Sequence, residues 1–237
     1  MTTPRSESRI LGRRDFLRDA SVAGIAGLIG AQSATSALAA SAPRLLASSC
    51  VLTPAGPAGP FYAPLGLLRR DLREAQPGLA MTLLLRVVRS SDCSPVQGAF
   101  ADLWHNNAGG TYSAFVAQGT AGETWLRGVQ VTNANGLALF ETIYPGWYPG
   151  RTCHLHLKIH TPTDVFTTQL YATDRFSTSV WRQEPYASHG PNPTTNAIDS
   201  FYEPAATLAL QPLGLAAFPW LGGGMKRVLG AKTLVIA

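Results

Sequence analysis

Two histidines and two tyrosines near the middle of the chain are residue types that can bind a metal ion. His154 and His156 lie in a segment of alternating apolar residues, which predicts a β-strand. On such a strand both imidazoles project from one face, with their backbones roughly 7 Å apart. Tyr112 follows a glycine-rich turn, and Tyr148 lies in a Pro- and Gly-rich turn just before the strand. Two imidazoles and two phenolates form a hard, partly anionic donor set, which suits ferric iron better than zinc or copper(I).

These four residues alone could equally be ordinary strand histidines and turn tyrosines. The segments around them favour metal binding. The chain resembles the intradiol ring-cleavage dioxygenases, a family of non-haem ferric enzymes. The resemblance includes the motifs Gly-Pro-Phe-Tyr, Asp-Leu-Trp-His, Gly-Thr-Tyr-Ser, Trp-Leu-Arg-Gly and Thr-Gln-Leu-Tyr. The matching segments occur in the family's order and are residues 59–62, 68–74, 98–113, 125–128, 142–156 and 168–171.

The resemblance implies a site as well as a fold. Its metal would be non-haem Fe(III), held by the two tyrosines and the two histidines described above. It implies that Tyr148 is the ligand that the substrate displaces. Arg151 stands where the family has an active-site arginine, whose guanidinium can stabilise charge that develops during the reaction. Gln169 matches a glutamine that hydrogen-bonds near the substrate or a ligand. Tyr148, Arg151 and Gln169 are therefore the predicted catalytic residues.

The activity implied is cleavage of a catechol ring by O2 between the two carbons that bear hydroxyl groups. The product would be a muconate-type dicarboxylic acid. A second hypothesis is a catalytically silent, exported β-sandwich that binds catechol-like ligands or ferric chelates. A third is a zinc or Fe(II) site that uses the histidines alone. Catechol and O2 are the predicted small-molecule partners, and a homo-oligomer is left open.

For the other histidines and two tryptophans the sequence predicts a position but no particular chemical role. His160 shares the strand face of the histidine pair, but it lies roughly 13 Å along the strand from His156 and is too distant for the same metal. His189 falls in a polar loop and is predicted to be solvated. Trp104 and Trp147 are predicted either to wall the pocket or to pack in the core.

The first residues of the chain predict export. A twin-arginine pattern at residues 12–18 precedes an apolar, Ala- and Gly-rich stretch at 20–40 with candidate cleavage sites. We therefore predict a signal peptide over 1–42 and a single intradiol dioxygenase-like domain over 43–237, which would be periplasmic or extracellular. The alternative is a membrane anchor, although the Gly, Ser, Thr and Gln content of the stretch makes a poor spanning helix. After cleavage we expect no stable membrane insertion.

Charge gives no indication of a nucleic-acid partner. The net charge of the chain is +5, and the predicted signal contains five Arg against three acidic residues, which leaves +3 for the domain. The remaining basic residues are scattered, whereas phosphate binding requires a basic stripe. Roughly 195 residues remain after cleavage, which is enough for one domain with a sizeable core.

The three cysteines suggest one disulfide, which can persist in an oxidising compartment. Cys50 and Cys93 both lie near turn-rich segments and form the favoured pair. Strand alternation points Cys153 away from the face of the histidines, so we expect it to be a small buried apolar residue.

Short alternating runs punctuated by Pro and Gly predict an all-β fold, a β-sandwich of mainly antiparallel strands with long active-site loops. A turn of helix is expected within residues 65–74. Residues 172–203 are polar and are expected to form a long excursion over the active-site edge. The predicted strands are 81–89, 98–105, 128–132, 137–142, 151–160, 167–171, 207–210 and 228–237.

Overall fold

The computed structural model describes residues 50–213 and 227–237. The predicted signal peptide, residues 1–42, lies outside the described residues, so its boundary stays a prediction. Within the described ranges no helix is both long enough and apolar enough to span a bilayer.

The described chain folds as a sandwich of two four-stranded sheets, which confirms the predicted all-β class. The strand order is β4-β1-β8-β7 in one sheet and β3-β2-β5-β6 in the other. β1 and β8 pair in parallel, and the other neighbours are antiparallel. The strands are β1 (Ala80–Arg89), β2 (Phe100–Trp104), β3 (Arg127–Val131), β4 (Leu137–Ile143), β5 (His154–His160), β6 (Val165–Tyr171), β7 (Ala209–Leu213) and β8 (Arg227–Ile236).

The core lies between the two sheets and determines which residues of β5 face outward. Alternate apolar residues of β1 and β5 point inward and are fully or almost fully buried, each contributing about 1.5–3 kcal/mol through removal of apolar area from water. They are Leu83, Leu85, Val87, Leu155, Leu157 and Ile159. Because side chains alternate, His154 and His156 must then project from the opposite face of the sheet.

Among the described residues an α-helix, α1 (Asp174–Trp181), lies inside the segment 172–203 that was expected to form a long excursion. Its N-cap is Thr173, whose side chain accepts a hydrogen bond from the backbone N–H of Phe176. α1 buries Val180 and Trp181 against the sandwich. The sequence expectation missed this element because a helix of this length shows barely two turns of periodicity.

The turn of helix expected within residues 65–74 is wrong. This segment instead makes isolated parallel bridges to both sheets, from Leu68 to Val129 and from Asp71 to Glu141. Its backbone hydrogen bonds are therefore made to strand edges that are distant in sequence, and a local helical pattern does not form there.

Two glycines allow the turns that carry the tyrosines to pack backbone against backbone. The N–H of Gly146 donates to the carbonyl of Asn107 at 3.1 Å. A Cβ atom placed on Gly146 would lie 2.4 Å from the carbonyl oxygen of Ala108, and one placed on Gly110 would lie 2.1 Å from that of Trp147. Gly110 also has a φ of +82°, a conformation that L-residues rarely adopt. The loops after β2 and β4 are thereby held side by side.

The structure contains a disulfide between Cys50 and Cys93, as the sequence favoured, with a Cα–Cα distance of 5.5 Å. Cys153 is a free cysteine within the core cluster, on the face opposite His154. The predicted pairing and the predicted buried role of Cys153 are both confirmed.

Oxidised protein that is unfolded without reductant should expose one titratable thiol, that of Cys153, and Cys153→Ser should expose none. Three thiols in the unreduced protein would exclude the bridge. Because the bridge closes a loop with a sequence separation of 43, reduction should lower the free energy of unfolding by about 3–4 kcal/mol, as measured by urea denaturation.

A methyl group at Gly110 should destabilise the fold more than a methyl group at Gly98. Both residues have positive φ, but no atom lies within 4 Å of a Cβ placed on Gly98. Gly98→Ala should therefore cost only backbone strain, about 1–2 kcal/mol. Gly110→Ala should add about 1–3 kcal/mol from overpacking against Trp147. If urea denaturation gives the two variants the same loss of unfolding free energy, the turns that carry Tyr112 and Tyr148 are not tightly packed against each other.

Candidate metal centre

The structure brings together the four residues that the sequence proposed as ligands. β5 supplies His154 and His156 from its outer face, whereas Tyr112 and Tyr148 come from the loops after β2 and β4. Nε2 of His154 lies 3.1 Å from the hydroxyl of Tyr148 and 3.2 Å from Nε2 of His156. The ring of Tyr112 lies 5.8 Å from that of Tyr148 and 6.0 Å from that of His156, between centroids.

Both imidazoles are neutral in this environment. Burial, followed by the nearby Arg151, lowers the pKa of His154 to about 3. Burial, followed by His154, lowers the pKa of His156 well below its ordinary value. Nδ1 of His154 lies 2.7 Å from the carbonyl oxygen of Thr152, which can only accept, so Nδ1 carries the proton. Nε2 of His154 is thus left with a free lone pair that points into the cluster.

Hydrogen bonding within the protein does not satisfy this cluster. The single lone pair on Nε2 of His154 cannot fully serve both Tyr148 and His156. The hydroxyl of Tyr112 is buried and finds no partner of hydrogen-bonding geometry among the described residues. Burial, and then the adjacent Tyr148, raise the pKa of Tyr112 well above its usual value. A cation among these atoms would reverse that effect by attracting the phenolate.

The donor set also restricts the kind of metal. In the described part of the chain, no group of three or more His, Cys, Asp and Glu residues could hold a metal ion. A metal at this site would therefore depend on the phenols of Tyr112 and Tyr148 as well as on the two imidazoles. Phenolate is a hard anionic ligand, so the set fits ferric iron.

An extended segment before β1, residues 54–62, crosses the outer face of the sheet and is here called the strap. The N–H of Gly56 donates to the carbonyl of Thr167 at 2.9 Å and fixes the strap to β6. Gly59 lies so close to the imidazole of His156 that a Cβ there would be 3.2 Å from Cε1. Phe61 stacks on Tyr112, with ring centroids 4.5 Å apart and planes 13° apart. The strap therefore covers the cluster with apolar groups.

Trp104 supports the cluster from the neighbouring strand, β2. Its indole is buried and stacks on the imidazole of His156, with centroids 5.0 Å apart and planes 6° apart. Trp104 therefore lies directly against a proposed ligand on the outer face of the sheet, and it does not belong to the core cluster between the two sheets.

Arg151 is held in place by an acidic residue that the sequence did not indicate. Its Nε donates to Asp199 at 2.8 Å, and only 12% of its side chain is exposed. Asp199 also accepts from the backbone N–H of Thr152 at 2.9 Å. Burial raises the pKa of Asp199, but hydrogen bonds from Phe201, Thr152 and Arg151 outweigh burial and lower it overall. Asp199 is therefore a carboxylate that orients the guanidinium.

Gln169 is placed to orient Arg151. The side-chain oxygen of Gln169 accepts from Nη2 of Arg151 and from the hydroxyl of Tyr171, the latter at 2.9 Å. Its nitrogen donates to the carbonyl of Pro57 in the strap at 2.8 Å. These contacts join the strap, β6 and Arg151.

The remaining histidines lie outside the cluster. His105 is fully buried, with its ring nitrogens 2.8 Å from the Asn106 carbonyl and 2.7 Å from the Thr142 hydroxyl. His160 lies 4.0 Å from Asp102 at the far end of β5. His189, expected to be solvated, is partly exposed, and its Nε2 lies 2.9 Å from the carbonyl oxygen of Trp147.

Comparisons with known proteins agree with this architecture. A family model described as a dioxygenase matches residues 58–180, which is more than half of the chain. The intradiol ring-cleavage dioxygenase from Tetranychus urticae is 27% identical with a TM-score of 0.70, covering 79% of this chain and 94% of that chain. The dioxygenase domain of a dioxygenase–carbohydrate-binding protein fusion from Streptomyces sp. SirexAA-E is 28% identical with a TM-score of 0.59, covering 78% and 98%.

Similarity to a curated protein is more limited in extent. Catechol 1,2-dioxygenase 1 from Acinetobacter lwoffii is 39% identical over 61 residues, which are 26% of this chain and 20% of that protein. The chain thus matches only about a fifth of that relative's length. The family model and the solved structures cover far more, and together they show that this chain belongs to the intradiol ring-cleavage dioxygenase family.

Proposed function

We propose that this protein is a non-haem Fe(III) dioxygenase that cleaves a catechol between its two hydroxyl-bearing carbons with O2, giving a muconate-type dicarboxylic acid. The observation that carries the proposal is the convergence of two neutral imidazoles and two phenols in one cluster, in which the buried Tyr112 hydroxyl has no hydrogen-bond partner among the described residues. Membership of the family supports the same reaction class.

The four converging residues, Tyr112, Tyr148, His154 and His156, would hold the ferric ion. When bound, Fe(III) would supply a Lewis acid that polarises the catechol and makes the ring reactive toward O2. The free lone pair on Nε2 of His154 is already oriented for binding by the Thr152 carbonyl at Nδ1.

Tyr148 is the ligand best placed to exchange with substrate. It is partly exposed, whereas Tyr112, His154 and His156 are buried. Burial raises the pKa of Tyr148, although Arg151 opposes the rise. A phenolate released at this position would therefore be basic enough to take a proton from a catechol hydroxyl at its own oxygen.

Arg151 would stabilise negative charge on the substrate. Its guanidinium is fixed between Asp199 and Gln169, and it lies over the ring of Phe201 at 4.9 Å from the centroid. A cation held in this way needs no reorganisation when charge develops during the reaction. Phe61 of the strap excludes water from the same region by packing on Tyr112 and by an edge contact with Tyr148.

We further propose that the domain works after export. The twin-arginine pattern and the apolar stretch that follows it support this proposal. The disulfide between Cys50 and Cys93 also supports it, because such bonds persist in oxidising compartments.

The reaction is tested by oxygen consumption with product identification by mass, using catechol, protocatechuate and hydroxyquinol. Uptake of one O2 per ring, with both oxygen atoms in a dicarboxylic acid, is the expected result. Tight binding of catechols without oxygen uptake would identify a silent binding protein instead. Activity that requires zinc or Fe(II) would favour a site formed by the histidines alone.

The iron-loaded protein should be red to burgundy, because ferric phenolates absorb visible light. Tyr112→Phe and Tyr148→Phe should each alter the band by removing one phenolate. Tyr202→Phe is the control, since this tyrosine bonds Thr207 outside the cluster and should leave the band unchanged. Colourless protein with one ferric ion per chain would rule out tyrosine ligation.

Arg151→Ala should separate catalysis from metal binding. The variant should retain iron and colour, and its band should still shift when catechol binds. Turnover should fall by roughly 10²–10³, the scale for removal of one electrostatic stabiliser from a site that excludes water. His154→Ala should instead lose iron. Normal turnover by Arg151→Ala, or loss of its iron, would show that the assigned role is incorrect.

A further inference from the structure

Residues 186–199, here called the brace, follow α1 and run along the turn that carries Tyr148. Tyr186 begins the brace, and its hydroxyl donates to the carbonyl of Tyr144 at 2.6 Å. A short 3-10 helix, Ala187–His189, then turns the chain toward Trp147. Farther along, the side-chain amide of Asn192 donates to the carbonyl of Arg151 at 2.9 Å. The brace is thus bonded to both ends of the turn.

Midway along the brace, His189 and its neighbour Gly190 bond to Trp147 of the turn. Nε2 of His189 lies 2.9 Å from the carbonyl oxygen of Trp147, which can only accept, so Nε2 is the donor. The indole N–H of Trp147 donates to the carbonyl of Gly190 at 3.1 Å. The two rings pack with centroids 4.3 Å apart. Two hydrogen bonds and a ring contact therefore fix the residue directly before Tyr148.

The Trp147 carbonyl also touches the turn that leads to Tyr112. A Cβ on Gly110 would lie 2.1 Å from this oxygen and 3.3 Å from Nε2 of His189. Because glycine has no side chain, Gly110 leaves room for the imidazole of His189 to reach the carbonyl of Trp147. One carbonyl oxygen thus lies where the Tyr112 turn, the Tyr148 turn and the brace come together.

We propose that His189 is a positioning residue for Tyr148: its imidazole holds the Trp147 carbonyl and so fixes the turn from which the exchangeable tyrosine projects. The proposal rests on the function proposed above, in which Tyr148 is an iron ligand. In the described contacts His189 does not touch any of the four proposed ligands, and it acts through Trp147.

If Tyr148 leaves the iron and returns to it, the turn that carries Tyr148 must keep a fixed position in the meantime. Tyr148 is partly exposed, and its hydroxyl bonds His154, a contact that is lost when the phenol moves away. The turn itself must then hold the side chain near the iron for its return. On the side toward β5 the turn is held by Asn192 and Asp199, and on the side toward β4 it is held by His189.

The first test uses metal-free protein and hydrogen–deuterium exchange of residues 144–152. Loss of one hydrogen bond in His189→Ala should speed exchange in this segment by roughly three- to tenfold. His189→Gln retains an N–H donor and should restore slow exchange. Arg182→Ala is the matched control, because it alters a side chain just before the brace and should leave the segment unchanged. Unaltered exchange in His189→Ala overturns the proposal.

The second test uses the iron-loaded protein. His189→Ala should shift the visible band and release iron to a chelator several-fold faster, with a larger effect on kcat than on KM, and His189→Gln should recover these properties. In a Tyr148→Phe background, His189→Ala should cause no further change in the band or in iron release, since the interaction acts through Tyr148. Additive effects in this double-mutant cycle would show a general structural role and overturn the proposal.

The two proposals can fail separately. A wild-type protein that neither binds ferric iron nor consumes O2 would contradict the proposed function, while the exchange measurement would still decide whether His189 holds the turn. A coloured, active protein in which His189→Ala matches wild type in both tests would contradict only the role of His189.

Discussion

The alternation of side chains along β5 is the constraint on which the candidate site depends. Leu155, Leu157 and Ile159 occupy the core, so the two histidines must face outward. Outward-facing imidazoles would ordinarily meet water, yet both are buried. Burial is achieved because the strap and the two tyrosine-bearing turns pack over the outer face of the sheet. The site is therefore built on a strand and enclosed by loops, which bury Tyr112, His154 and His156 and leave Tyr148 partly exposed.

Much of this arrangement could be predicted from the sequence, for local reasons. Strand alternation placed His154 and His156 on one face and Cys153 on the other, because a period of two leaves no alternative once the core is known. The glycine- and proline-rich segments around Tyr112 and Tyr148 clearly indicated turns between strands. Whether the four residues bind iron stays a prediction, although their convergence in one cluster is what such a site requires.

What the sequence did not indicate depends on contacts between distant segments. Asp199 and His189 lie in a polar stretch with no periodic pattern, and their partners are more than forty residues away along the chain. The segment at 65–74 was expected to be helical, but it bridges the edges of both sheets instead. α1 was missed because tertiary packing of Val180 and Trp181, rather than a long periodic pattern, defines it.

The parallel pairing of β1 with β8 has a consequence for the order of events during synthesis. β1 lies between β4 and β8 in its sheet, and β8 leaves the ribosome after all the other described strands. The first sheet therefore cannot close cotranslationally while β8 is still in the exit tunnel, and pairing at such sequence separation is intrinsically slow. Residues 1–42 are fully emerged throughout that interval. The leader predicted at this end would thus be available for recognition before the domain that follows it has finished folding.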